Sequence, residues 1–280
     1  MHGEIIKNEL TQNVLDTQLF MRLRLTGIEA LRRYGITGAG MKIAVVDYPG
    51  SFTSSIKTPH YLPYKATKMK DFLALGIRQT PAVLKFYQSD FHGIGIGGLI
   101  SYLLPEAQVR FYDASSKRWV EIFTQIIKNR PDIVNLSLIL PTETDGIINK
   151  VIGAGITVVS AAAYNNSELS LRHNSCPQDI SVGFFFWDRY GELRPYAAPG
   201  WERVDVYVPA WNLPVPSGGN TFTNMSGTSL AAPIVSVAAA VARSRGSRSP
   251  EADRDLILQT AIHWRGVKVP HFGNLIKALN

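Results

Sequence analysis

The stretch Lys42–Asp47, KIAVVD, holds four consecutive apolar residues between a lysine and an aspartate. A run without polar alternation reads as a strand buried on both faces, the situation of a parallel sheet sandwiched between helices. Outward along the chain the same reading recurs in QVRFYD (108–113), DIVNLSL (132–138), ITVVSAAA (156–163), ISVGFFF (180–186) and VDVYVPA (204–210). Residues 93–104, 119–129 and 146–154 carry helical spacing and supply the crossover connections that parallel strands require. The expected fold class is therefore α/β, a mainly parallel sheet covered by helices on both faces.

The flanks extend this pattern. Residues 13–33 show helical periodicity and lead into the first core strand through YGITGAG (34–40). Near the other end, SGTSLAAPIVSVAAAVARS (226–244) reads as a buried helix rich in Ala and Val, followed by a loop and a last helix over 250–261. Residues 50–89, rich in Pro, Lys and Tyr, lack regular periodicity and read as loops and short elements near the site. With no internal repeat and no low-complexity linker, residues 1–280 are expected to form a single domain.

Composition excludes several classes. The 280 residues are 45% hydrophobic and 18% charged, far from the composition of disordered chains. Cys176 is the one cysteine, so an internal disulfide and a cysteine-pair metal site are both excluded; before Pro177 it reads as structural. Every apolar run is interrupted by Pro, Gly or charge before the roughly twenty residues a membrane helix needs, so no membrane partner is expected. The first twenty residues lack a basic start and an apolar block, which gives a cytoplasmic form as the expectation unless an upstream signal and propeptide were removed. A net charge of +7 raises nucleic acid as a partner, but no binding motif accompanies it. Arg243, Arg245 and Arg248 fall in ARSRGSRS (242–249) and read as a solvated loop.

In open parallel sheets, functional groups gather where loops leave the carboxyl ends of strands. Asp47 ends the first core strand, His92 opens an apolar helix in DFHGIGIGGLI (90–100), and Ser229 opens another in GTSLAAPIV (227–235). Each has an ordinary explanation as a turn or helix-start residue. Together they supply an orienting carboxylate, a general base and a nucleophile, since a serine hydroxyl needs an imidazole to take its proton and a carboxylate to hold that imidazole. Gly93, Gly95, Gly97 and Gly98 after the histidine, and Gly227, Ala231 and Ala232 around the serine, are the small residues that close approach or tight helix packing would require.

At these residues the chain resembles the subtilisin-like serine peptidases, the subtilases. GITGAGMKIAVVD (35–47), HGIGIGG (92–98), VNLSL (134–138), ITVVSAAAYN (156–165) and GTSLAAPIVSVAAA (227–240) match that family's successive blocks in order. The resemblance implies that Asp47 orients the base, His92 acts as general base and then acid, and Ser229 attacks the scissile carbonyl. It implies also that Ser137 and Leu138 border a groove where extended peptide binds by strand addition, and that an Asn side chain completes an oxyanion hole. Matching by residue type assigns that last role to Asn165, whereas a gap-free count from Gly155 gives Tyr164. Ile139 and Leu140 stand where the family has glycines, and Gly95 stands where it has a second histidine.

The expected function is thus a serine endopeptidase acting on a peptide or protein substrate, with no cofactor and, in the absence of a carboxylate-rich loop, no required metal. Leu138, Ala161 and Ala162 give apolar walls for the side chain before the scissile bond. Transfer of the acyl group to an amine rather than to water stays open, as does a catalytically weak or inactive relative that binds a protein partner.

Overall fold

Alternate residues of KIAVVD point to opposite faces of the sheet, and both faces are buried. In the computed structural model, which describes residues 17–48, 62–64, 92–138, 140–162, 178–196, 203–218 and 221–280, Ile43 and Val45 enter one apolar cluster while Ala44 and Val46 enter another. All six apolar runs form strands. Strand β1 (Lys42–Asp47) lies between β3 (Gln108–Asp113) and β4 (Ile133–Leu136), parallel to both. The parallel ladder continues from β4 to β5 (Thr157–Ala161), then to β6 (Ile180–Trp187) and β8 (Val206–Val208).

Two antiparallel strands complete the sheet. β2 (Leu62–Tyr64) pairs with β3 at one edge; β8 lies at the other, and β7 (Leu193–Tyr196) pairs with the far end of β6 on the same side as β5. The α/β class expected from the strand pattern is the class observed.

Helices cover both faces. On one side lie α1 (His92–Leu103), α4 (Thr228–Ser244), α5 (Pro250–Thr260) and α6 (Phe272–Ala278), packed on Ile43, Val45, Ile133, Val159 and Val182. On the other, α2 (Trp119–Asn129) and α3 (Asp145–Gly153) pack on Ala44, Val46, Val134, Leu136 and Val158. α5 starts where a Ser-Pro pair should start a helix: Ser249 accepts from the Ala252 N–H at 3.1 Å and Pro250 occupies the first helical position.

Three expectations are corrected, the first being the last helix: α5 is followed by α6. The helical stretch over 13–33 is broken: residues 17–23 are helical, a 3-10 turn follows at Arg24–Thr26, and Gly27 in the left-handed region separates it from a short helix at Ala30–Arg33. Arg243 does not lie in a solvated loop. It sits in the last turn of α4 and bonds buried Asp253 at 2.7 Å, Thr157 at 2.8 Å and the Gly155 carbonyl at 3.1 Å. Two hairpins had no counterpart in the sequence reading, β9 (Leu213–Gly218) with β10 (Thr221–Met225), and β11 (Ile262–Trp264) with β12 (Val267–Val269). Asn165, Tyr164, Ile139, Cys176 and most of 50–89 lie outside the described residues.

Candidate active site

Asp47 is the last residue of β1, fully buried at the carboxyl end of the sheet. A buried carboxylate must be partnered, and both of its oxygens are. Oδ1 accepts from the Tyr48 backbone N–H at 2.7 Å and lies 2.8 Å from His92 Nδ1, while Oδ2 lies 3.0 Å from the same nitrogen. This pairing directs the Nδ1 proton toward Asp47 and leaves Nε2 as the ring's basic nitrogen.

His92 reaches Asp47 because α1 begins against the end of β1. A Cβ on Gly93 would overlap the Tyr48 carbonyl oxygen and stand 2.6 Å from Phe111 Cζ, so a glycine is required for this approach. Gly97, by contrast, has nothing within 4 Å of such a Cβ. Burial is the largest influence on His92 and pushes its pKa down; the charge and hydrogen bond of Asp47 together outweigh it, and the ring titrates above the ordinary imidazole value. The His92 side chain keeps 21% exposure, so the ring is within reach of solvent and of a bound chain. Beside it, burial first and then the Asp47 charge raise the Tyr48 phenol pKa.

Ser229 is the second residue of α4. The helix starts at Gly227, whose φ of 135° is closed to other residues without strain and whose N–H donates to the Ala210 carbonyl at 3.0 Å. The Leu230 and Ala231 N–H groups donate to the Gly227 carbonyl at 3.0 and 3.2 Å, and those of Thr228 and Ser229, ahead of them, have no acceptor within the helix, so this terminus offers donors and a positive dipole end beside the Ser229 hydroxyl. His92 meets Asp47 at the carboxyl end of β1, and the Ser229 carbonyl meets Ser137 just past the carboxyl end of parallel β4, so the starts of α1 and α4 lie at the same end of the sheet. Among the described residues no hydrogen bond joins the His92 ring to the Ser229 hydroxyl.

A second feature of α4 was not foreseen. Pro233 has no N–H, so the carbonyl four residues earlier, that of Ser229, has no helical donor. The Ser137 hydroxyl fills that gap, donating to the Ser229 carbonyl at 2.8 Å. Ser137 in turn accepts from Asn135 Nδ2 at 2.9 Å, and Asn135 Oδ1 accepts from Ser236 on α4 at 3.0 Å. Asn135, Ser137 and Ser236 are all buried. The signal was present in DIVNLSL: two polar residues two apart in an apolar strand share one buried face and must bond to whatever covers it.

Ser137 therefore turns its side chain inward to α4, and Leu138 packs in the cluster beneath α2 and α3. Ala161 and Ala162 are likewise buried. Among the described residues no group of three His, Cys, Asp or Glu is placed to hold a metal ion, and no helix is long and apolar enough to cross a membrane.

A family model described as the subtilase family matches residues 87–275, a span that includes His92 and Ser229 and begins after Asp47. The chain belongs to the subtilase family. Subtilases are serine peptidases, and the relatives of this chain carry that character. It is 34% identical over 134 residues to the thermophilic serine proteinase of Bacillus sp. (strain AK1), a match covering 46% of this chain and 32% of that protein. It is 26% identical over 255 residues to subtilisin of Bacillus pumilus, covering 84% and 88%, and 26% identical to subtilisin E of Bacillus subtilis (strain 168), covering 84% and 64%.

The matched span is thus about a third of the first relative's length and just under two thirds of subtilisin E. Among solved structures, the prenylagaramide maturation protease PagA superposes with a TM-score of 0.62 at 16% identity, covering 91% of this subtilase and 98% of PagA. Fervidolysin from Fervidobacterium pennivorans gives 0.61 at 14% identity, covering 91% and 45%. At such identities these two likenesses speak for the subtilase fold alone.

Proposed function

We propose that this subtilase is a serine endopeptidase that hydrolyses peptide bonds through an acyl-enzyme on Ser229. The observation that carries the reading is the His92 ring held through Nδ1 by a fully buried carboxylate, 2.8 and 3.0 Å from its oxygens. That arrangement keeps Nε2 free to accept a proton and stabilises the imidazolium that results.

In the proposed cycle, Ser229 Oγ attacks the scissile carbonyl carbon and its proton passes to His92 Nε2. The carbonyl oxygen becomes an oxyanion at the amino end of α4, where the Thr228 and Ser229 N–H groups have no helical acceptor. Asn165 is our candidate for a side-chain donor to the same oxygen. Collapse breaks the carbon–nitrogen bond, and His92 returns its proton to the departing amine. Water then gives a proton to His92 and its oxygen to the acyl carbon; the ester bond breaks as His92 returns that proton to Ser229 Oγ, restoring the hydroxyl and the neutral imidazole. An amine taking the place of water would give transpeptidation by the same steps.

Ile139, where the family has a glycine, and Tyr164 in the gap-free count motivate a second reading, a catalytically weak or inactive subtilase that binds a protein partner. A fluorophosphonate probe separates the two. Covalent labelling of Ser229, abolished in Ser229→Ala and in His92→Ala, supports the peptidase; folded protein that stays unlabelled supports the binding reading.

A further inference from the structure

Away from Asp47 and His92, the helical residues 17–23, the turn between β6 and β7, the segment after β8 and the turn between β11 and β12 enclose a cavity of about 670 Å³. Three tryptophans line it: Trp187, Trp211 and Trp264. Two are braced from behind, Trp264 edge-on against Phe185 at 5.0 Å between ring centres and Trp211 against Phe186 at 6.3 Å. Trp187 is 51% exposed and Met21, on the cavity rim, 66% exposed. Water gains little from such surfaces, and an apolar side chain seated between them would be favoured.

The charge around the cavity is one-sided. Arg22, Arg24 and Arg265 line it against one carboxylate, Glu192, which already accepts from Arg194 at 2.9 Å and faces Arg265 at 3.4 Å. Arg265 also lies 5.0 Å over the Trp264 ring. Gly191 and Leu193 bring the start of β7 to the cavity wall, and among the described residues β7 pairs along one side alone, with β6. A terminal strand offers backbone groups to an added extended chain.

We propose that this cavity binds an acidic peptide segment that carries an aromatic or large aliphatic side chain. The apolar side chain sits among the tryptophans, the carboxylates meet the arginines, and the peptide backbone runs beside β7. Single-stranded nucleic acid shares the taste for aromatics and cations, but the cavity is one well rather than a track along which successive bases could stack. This binding needs no chemistry at Ser229 and does not depend on the chain being an active peptidase.

The test uses the full chain carrying Ser229→Ala, so that no probe is cut. A fluorescein-labelled hexapeptide, Glu-Asp-Trp-Leu-Glu-Asp with blocked ends, is titrated by fluorescence anisotropy at low and high salt. Saturable binding that weakens with salt is expected. Replacing Trp-Leu in the probe by Ser-Ser, or its acids by Lys, should weaken binding about tenfold or more. Trp187→Ala and Arg24→Glu in the protein, both at exposed positions, should each weaken it about fivefold or more with the circular dichroism spectrum unchanged. Absence of saturable binding, equal binding of the lysine probe, binding that survives both protein substitutions, or tighter binding of a deoxythymidine oligonucleotide at the same site would each overturn the proposal.

Discussion

The hydroxyl of Ser137 donates to the carbonyl of Ser229 at 2.8 Å, standing in for the helical hydrogen bond that Pro233 cannot make. It ties the middle of the sheet to the residue proposed as nucleophile. In Ser137→Ala that carbonyl loses its donor, and the start of α4 loses its anchor. We expect a stability loss of about 1–3 kcal/mol, and a fall in kcat of about ten- to a hundredfold from misplacement of the hydroxyl. KM should change little. Steady-state kinetics on a chromogenic peptide alongside a urea melt checks both effects, and an unchanged kcat would show that Ser137 serves stability alone.

Asp47 sets both the orientation and the titration of His92. The proposed base works only when neutral, and its pKa is raised, so activity should rise with pH through a value above that of a free imidazole. Asp47→Asn removes the two upward influences and leaves burial, which acts downward. The acid limb of the kcat/KM profile should therefore move to lower pH, even as kcat drops by about four orders of magnitude, the scale known for the equivalent loss in subtilisin itself. A limb that stayed in place would mean that a different group titrates.

Gly93 and Gly97 make a matched pair of tests on α1. A methyl group at Gly93 collides with the Tyr48 carbonyl and the Phe111 ring, so Gly93→Ala should cost about 1–3 kcal/mol and disturb the His92–Asp47 pairing. At Gly97 nothing lies within 4 Å, and alanine there should be neutral or stabilise by about 0.5–1 kcal/mol. Thermal melts of the two variants give the comparison directly.

Far from the site, Asp253 is fully buried and shares its carboxylate between Thr157 at 2.5 Å and Arg243 at 2.7 and 3.0 Å. Arg243→Met strands that charge and should cost about 3–5 kcal/mol. Adding Asp253→Leu should recover part of the loss, since a neutral pair of similar bulk leaves no buried charge uncompensated. Denaturant unfolding of the single and double variants measures the difference.

How far the sequence carried depended on how local each cause was. The six core strands were legible because burial on both faces leaves a plain apolar run, and Asp47, His92 and Ser229 stood out at strand and helix ends. The break at Gly27 was harder to see, since the apolar spacing continues across it and a single left-handed residue redirects the chain. Arg243 was misread because its partner, Asp253, becomes a neighbour only after α4 and α5 pack. The bond from Ser137 to Ser229 crosses 92 positions. Its cause, a missing N–H at Pro233, is readable, but its remedy lies on a strand that nothing in the local pattern connects to it.

That long reach has a consequence for how the molecule comes into being. The link from Asp47 to His92 closes a loop of 45 residues and the one from Ser137 to Ser229 a loop of 92, and both pass through the central strands. During synthesis the carboxylate and the imidazole emerge well before the serine helix exists, so no part-made chain can hold the complete set of groups. Closing such distant contacts is slow, and in the proposed peptidase the wait is protective: a hydrolytic centre assembled last cannot cut its own unfinished chain.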